Sequence, residues 1–133
     1  MSAGSDGLGT SSMFVIRLPF DDNVDAADRL ALGMHELGCD APVAYDGPSA
    51  LALVDAFRPQ LIVLSAGFDA HCDDPLAELR LVEADFAWLT GQVATTAERH
   101  CGGRIVSVLE GGYDLHALAA SVAVHVRALM RAE

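Results

Sequence analysis

Basic residues are scarce in this sequence. It carries 8 of them against 19 acidic residues, for a formal net charge of −11. Such a surface repels phosphate backbones, so a direct nucleic-acid binder is not expected. Cysteine is scarce as well. Cys39, Cys72 and Cys101 stand far apart, with no C-x-x-C pair. That argues against a disulfide framework or a structural zinc site, and a reducing cytoplasm is the expected setting. No apolar run approaches the roughly 20 residues needed to span a bilayer, so no membrane partner is expected. No basic segment followed by an apolar stretch marks a secretory signal. A P-loop and a G-x-G-x-x-G fingerprint are both missing. Neither Ser65 nor Ser107 sits in a G-x-S-x-G elbow, which leaves an elbow-type serine hydrolase unsupported.

Apolar material is plentiful. Of 133 residues, 52% are hydrophobic and the mean hydropathy is +0.32, enough for one domain with a real core. Residues 1–12 are rich in Gly and Ser, and are expected to form a flexible lead-in to a domain over 13–133. Met13 to Leu18 is a strand candidate stopped by Pro19. Residues 24–37 have helical spacing, with Asn23 as N-cap and Gly38 as stop. The stretch from Cys39 to Gly47 is ambiguous and has room for a brief strand. Ser49 to Phe57 is a helix ended before Pro59.

Leu61 to Ser65 is apolar on both faces, as in a parallel sheet covered by helices. Residues 83–99 form a helix with Phe86, Leu89 and Val93 on one face, broken by Gly102-Gly103. Arg104 to Leu109 is the last strand. Residues 114–131 close the chain as a helix with Leu118, Val122, Val126 and Leu129 on its apolar face. Strands alternating with helices predict an α/β fold with a mostly parallel sheet.

Two polar loops follow the two clearest strands. In open α/β sheets, ligands gather beyond the carboxyl ends of strands, and neighbouring strands lie about 4.8 Å apart. Asp69 and Tyr113 can therefore face one cleft. A carboxylate at Asp69 suits a cation such as zinc; the pattern alone favours a turn or a helix cap. Tyr113 follows Gly111-Gly112, which permit close backbone approach, so its phenol can donate to a developing oxyanion. The alternative is a tyrosine packed on the core with its hydroxyl at the rim. Asp73 and Asp74 precede Pro75; both fit a solvated turn, and that is the expectation for Asp73. His35, His116 and His125 fall within predicted helices and His100 ends one, all as surface or core-edge residues.

From Phe57 to about Leu129 the chain resembles the last part of the histone deacetylase and acetylpolyamine amidohydrolase family. The matching text is F-R-P-Q-L-I-V-L-S-A-G-F-D-A-H-C-D-D-P-L, then L-T near residue 90, then V-L-E-G-G-Y-D-L. It is most similar to the bacterial-type and class II members. The resemblance implies a three-layer, arginase-like α/β fold and hydrolysis of an N-acetyl amide on acetyl-lysine or acetylpolyamine. It makes Asp69 a zinc ligand and Tyr113 the residue that polarises the acetyl carbonyl. It also implies that Leu76 lines the acyl-lysine tunnel and that Gly111 and Gly112 belong to the glycine-rich loop beside the site. His71 follows the metal aspartate but is not a family ligand.

The departures bear equally on function. The family's other two zinc ligands come from an upstream Asp-x-His motif, and its base from an upstream His-His pair. His35 is the only histidine before Asp69, so neither motif is present. The expectation is part of a zinc-dependent deacetylase, inactive alone, that calls for a complementing chain or self-association. The alternatives are a non-catalytic α/β interaction module derived from such an enzyme, and an unrelated α/β binding domain.

Overall fold

The structure of the chain is a computed structural model, and it describes residues 11–18, 25–45, 47–76 and 79–131. In chain order the elements are β1 (Met13–Leu18), α1 (Asp25–Glu36), β2 (Val43–Ala44), α2 (Gly47–Phe57), β3 (Leu61–Gly67), α3 (Glu83–Cys101), β4 (Ile105–Gly111) and α4 (Leu115–Met130). The four strands form one all-parallel sheet in the order β2-β1-β3-β4. The predicted α/β class is thus observed.

Side chains on a strand alternate between faces, and here both faces are covered. Phe14, Ile16, Ile62, Leu64 and Ala66 pack with Ala50 and Val54 of α2, with Phe86, Val93 and Ala97 of α3, and with Leu118 and Val122 of α4. On the other face Val15 and Val63 meet Ala27, Leu30 and Ala31 of α1. Helix, sheet and helix make three layers. The unbroken apolar run of β3 follows from this two-sided cover: Ile62 to Ala66 are all buried.

Element ends show where local chemistry acts. Gly38 adopts φ 82°, as its place after α1 requires. Gly102 and Gly103 adopt φ 60° and 77°, and the Gly103 amide donates to the Ala97 carbonyl at 3.0 Å, closing α3. α2 begins two residues earlier than expected because Pro48 fits the first helical turn, where its missing N–H costs nothing. The ambiguous stretch holds β2. The proposed cap Asn23 and residues 1–10 of the expected lead-in lie outside the described residues. Ser11 and Ser12 are tied down: the Asp40 amide donates to Ser11 O at 3.0 Å, and the Ser12 amide donates to Gln60 Oε1 at 3.0 Å. All three cysteines are free. Among the described residues no helix is long and apolar enough to cross a membrane.

The closing helix corrects the expected stripe. The buried residues of α4 are Ala117, Ser121 and His125, whereas Val126 is 44% exposed. The inward line is turned by one residue from the one drawn through Leu118, Val122 and Val126. Small side chains at 117 and 121 let α4 approach closely, and the larger neighbours pack at the flanks. His125 is therefore buried, against the surface or core-edge expectation.

The Ser121 hydroxyl is fully buried and finds no hydrogen-bond partner among the described residues. An unsatisfied buried hydroxyl costs about 1–3 kcal/mol. Ser121→Ala is accordingly expected to raise the free energy of unfolding by about 1 kcal/mol, read from urea midpoints. A loss of stability in that variant would mean that the hydroxyl has a partner after all.

Candidate active site

β3 and β4 are parallel neighbours, so their carboxyl ends open into adjacent loops. Gly67 stands opposite Gly111 across a register irregularity, and the Phe68 amide donates to the Gly111 carbonyl at 2.8 Å. This bond carries the pairing one residue past β3. Asp69 follows, half-buried. A Cβ on Gly111 would lie 3.2 Å from Asp69 Cγ and 3.3 Å from each carboxylate oxygen. The carboxylate of the first loop therefore rests against the bare backbone of the second. Gly112 has φ 142°, a conformation that side chains rarely adopt, and it turns the chain into Tyr113.

The expected residues come together at one sheet edge. Asp69 lies in the loop after β3, Gly111 ends β4, and Gly112 and Tyr113 lie in the turn that follows it. Tyr113 and Leu76 are both more than half exposed. Asp114 then caps α4, accepting from the Ala117 amide at 2.8 Å.

The two aspartates before Pro75 differ. Asp73 is solvated as expected, but Asp74 is only 6% exposed. Its Oδ1 accepts from the Leu76 amide at 2.9 Å; its Oδ2 accepts from the amides of Tyr113 at 2.7 Å and Asp114 at 3.3 Å. Burial pushes its carboxyl up, but the three amides outweigh this and hold it below the usual aspartate value. Half of this arrangement was visible in the sequence. In Asp74-Pro75-Leu76 the proline has no N–H, so the carboxylate reaches the amide two residues on, as in an Asx-turn. The other half joins residues 39 positions apart and left no local trace.

His71 is buried within the first loop. Its Nε2 lies 3.2 Å from Glu83 Oε1, its Nδ1 accepts from the Asp73 amide at 3.1 Å, and its ring stacks on Phe86. Glu83's own amide, then the His71 ring, hold the Glu83 carboxyl below its ordinary value. The bridge between His71 and Leu81 closes the loop, with the Cys72 amide donating to the Leu81 carbonyl at 2.9 Å.

A family model described as "Histone deacetylase domain" matches residues 40–129. The chain belongs to the histone deacetylase family. Among curated relatives, it is 52% identical over 64 residues to the histone deacetylase-like amidohydrolase of Pseudomonas aeruginosa, covering 48% of this chain and 17% of that protein. It is 34% identical over 129 residues to human polyamine deacetylase HDAC10, covering 96% of this chain and 17% of that protein. A type-2 histone deacetylase of Dictyostelium discoideum is 48% identical over 80 residues, 58% of this chain and 5% of its own length. The chain thus spans less than a fifth of the length of each of these relatives. Among solved structures, the HDA15 HD domain superposes with a TM-score of 0.61 at 19% identity, over 90% of this chain and 44% of that one. The histone deacetylase Clr3 does so with the same TM-score at 15% identity, over 91% and 27%. These likenesses establish the deacetylase fold.

Deacetylase chemistry in this family implies zinc, which needs three protein ligands and an open position. Asp69 offers one carboxylate. Among the described residues, the one group of three potential donors within 4.8 Å is His71, Cys72 and Asp73, and it leaves Asp69 out. In that group the His71 Nδ1 lone pair already accepts the Asp73 amide, and Nε2 faces Glu83. The described residues do not make up a complete catalytic zinc site.

Proposed function

We propose that these residues form one side of the active site of a deacetylase that hydrolyses N-acetyl amides of acetyl-lysine or acetylpolyamine. The observation that carries this reading is the packing of Gly111 against the Asp69 carboxylate. It sets the turn bearing Tyr113 beside an acidic group at the sheet edge where ligands of open α/β folds gather. In this reading the Tyr113 phenol donates a hydrogen bond to the acetyl oxygen as attack by water turns it into an oxyanion. Asp69 is one ligand of the zinc, Leu76 lines the acyl channel, and Gly111 and Gly112 let substrate and backbone approach. The remaining ligands and the general base come from polypeptide outside these residues.

A partner is part of the proposal. β4 is an edge of the sheet among the described residues, and its Val106 and Leu109 are 48% and 58% exposed. An open parallel edge with apolar side chains favours cover by a complementing chain or a second copy. The same surface supports the alternative of a non-catalytic interaction module.

The test is turnover. Purified chain, supplied with zinc, is expected to bind it weakly and to show no substantial release of acetate from an acetyl-lysine peptide or an acetylpolyamine. Robust turnover abolished by Tyr113→Phe would sink the claim that one side of the site is insufficient.

A further inference from the structure

We propose that Asp74 is a positioning residue for Tyr113, its carboxylate bridging the loop after β3 to the turn after β4. The role assigned to Tyr113 rests on the deacetylase reading above, whereas the bridge stands on geometry alone. Gly111 and Gly112 give the backbone before Tyr113 wide conformational freedom. Something must remove that freedom if the phenol is to meet a reacting oxygen, because misplacement by about 1 Å can cost about 100-fold in rate.

Two anchors do so. Upstream, the Gly111 carbonyl is held by the Phe68 amide at 2.8 Å. Downstream, Asp74 Oδ2 receives the consecutive amides of Tyr113 and Asp114 at 2.7 and 3.3 Å. Hydrogen bonds to an ionised acceptor are roughly twice as strong as neutral ones, and this carboxylate is buried. The same carboxylate holds the Leu76 amide through Oδ1 at 2.9 Å. One side chain therefore sets the spacing between Leu76 and Tyr113, the proposed channel wall and the proposed oxyanion donor. A solvated turn aspartate would do neither.

The chain has two tyrosines, Tyr45 and Tyr113, so 3-fluorotyrosine labelling yields two fluorine resonances. Asp74→Asn keeps the shape but turns an acceptor oxygen into a donor NH2. Rotating the amide restores one side of the bridge at the expense of the other. In this variant the Tyr113 resonance is expected to move toward that of an unstructured fluorotyrosine peptide and to narrow, while the Tyr45 resonance stays. Amide exchange at Tyr113 and Asp114 is expected to quicken at least tenfold, with the β3 and β4 amides keeping their protection. An unmoved Tyr113 resonance with unchanged exchange overturns the proposal. So does an equal change at Tyr45 and throughout the sheet, which would make Asp74 a support of the whole fold. Should Asp74→Asn fail to fold, the unsubstituted chain decides. Scalar coupling across the hydrogen bonds, from the Tyr113 and Asp114 amide nitrogens to the Asp74 carboxylate carbon, supports the bridge when present and overturns it when missing. None of these readouts needs turnover, so failure of the bridge and failure of the deacetylase reading are distinguishable.

Discussion

Gly112→Ala is expected to lower the free energy of unfolding by about 2–3 kcal/mol. Two effects add. The backbone at Gly112 has φ 142°, a region essentially reserved for glycine, and holding another residue there costs about 1–3 kcal/mol. A Cβ would also stand 2.7 Å from Leu118 Cδ1 and 3.4 Å from Phe68 Cβ. Leu118 can turn its methyl group away, so the steric part is the smaller one. The backbone has no such escape, because Gly111 is held by Phe68 and Tyr113 by Asp74. Gly111→Ala makes the contrast. Its Cβ would crowd the Asp69 carboxylate at 3.2–3.3 Å without any backbone penalty from a positive φ. It is expected to cost under about 1 kcal/mol of stability, the usual range for a change without a large named defect. Urea unfolding of both variants measures this. A Gly112→Ala midpoint indistinguishable from the unsubstituted chain would show that the turn readily adopts another backbone path.

The division between what the sequence disclosed and what it concealed follows from the range of the interactions. β3 was legible because burial on both faces leaves the unbroken apolar run Leu-Ile-Val-Leu. β4, whose Val106 and Leu109 stay exposed, was legible from its β-branched and apolar residues, Ile105, Val106, Val108 and Leu109. Their ends were not, since pairing carries on through Ala66-Gly67 and Glu110-Gly111, residues with no strand preference. The stop of α3 was legible in Gly102-Gly103, whose positive φ values no other residue type adopts so readily. Asp69 and Tyr113 could be placed near one another because parallel neighbouring strands must end on the same side. Asp74 escaped because an aspartate before proline looks the same whether its second oxygen meets water or the backbone of another loop. His125 escaped for a related reason. On α4 the bulky apolar residues mark a stripe that the small ones, Ala117 and Ser121, displace by packing closer. Periodicity weights hydrophobicity, whereas close packing weights size.

His125 carries the last prediction. Its Nδ1 lies 2.7 Å from Thr90 Oγ1 and its Nε2 2.8 Å from Ser107 Oγ. The Thr90 hydroxyl already donates to the Phe86 carbonyl at 2.7 Å, so it must accept from His125 Nδ1–H. Nε2 then holds the lone pair and accepts from the Ser107 hydroxyl. One neutral ring ties α4 to α3 and β4, with the edge of the contact closed by Phe68. His125→Ala leaves a cavity and strands part of this chain of hydroxyls, for an expected loss of about 3 kcal/mol. The ring also makes stability depend on pH. Burial lowers its pKa below the ordinary 6.5. Below pH 6.5 the unfolded chain takes up a proton that folded His125 still refuses, so stability falls as pH falls toward the folded pKa. Above pH 6.5 both states hold a neutral ring and this contribution is constant. One proton gives a slope of at most about 1.4 kcal/mol per pH unit. Urea titrations of the chain and of His125→Ala at pH 7.5, 6.5 and 5.5 separate this contribution from the rest. The stability difference between them is expected to shrink as the pH is lowered, because the variant has no ring to keep neutral. A difference that stays constant from pH 7.5 to 5.5 would mean that the ring gains its proton as easily folded as unfolded, and the neutral relay from Ser107 to Thr90 would have to be abandoned.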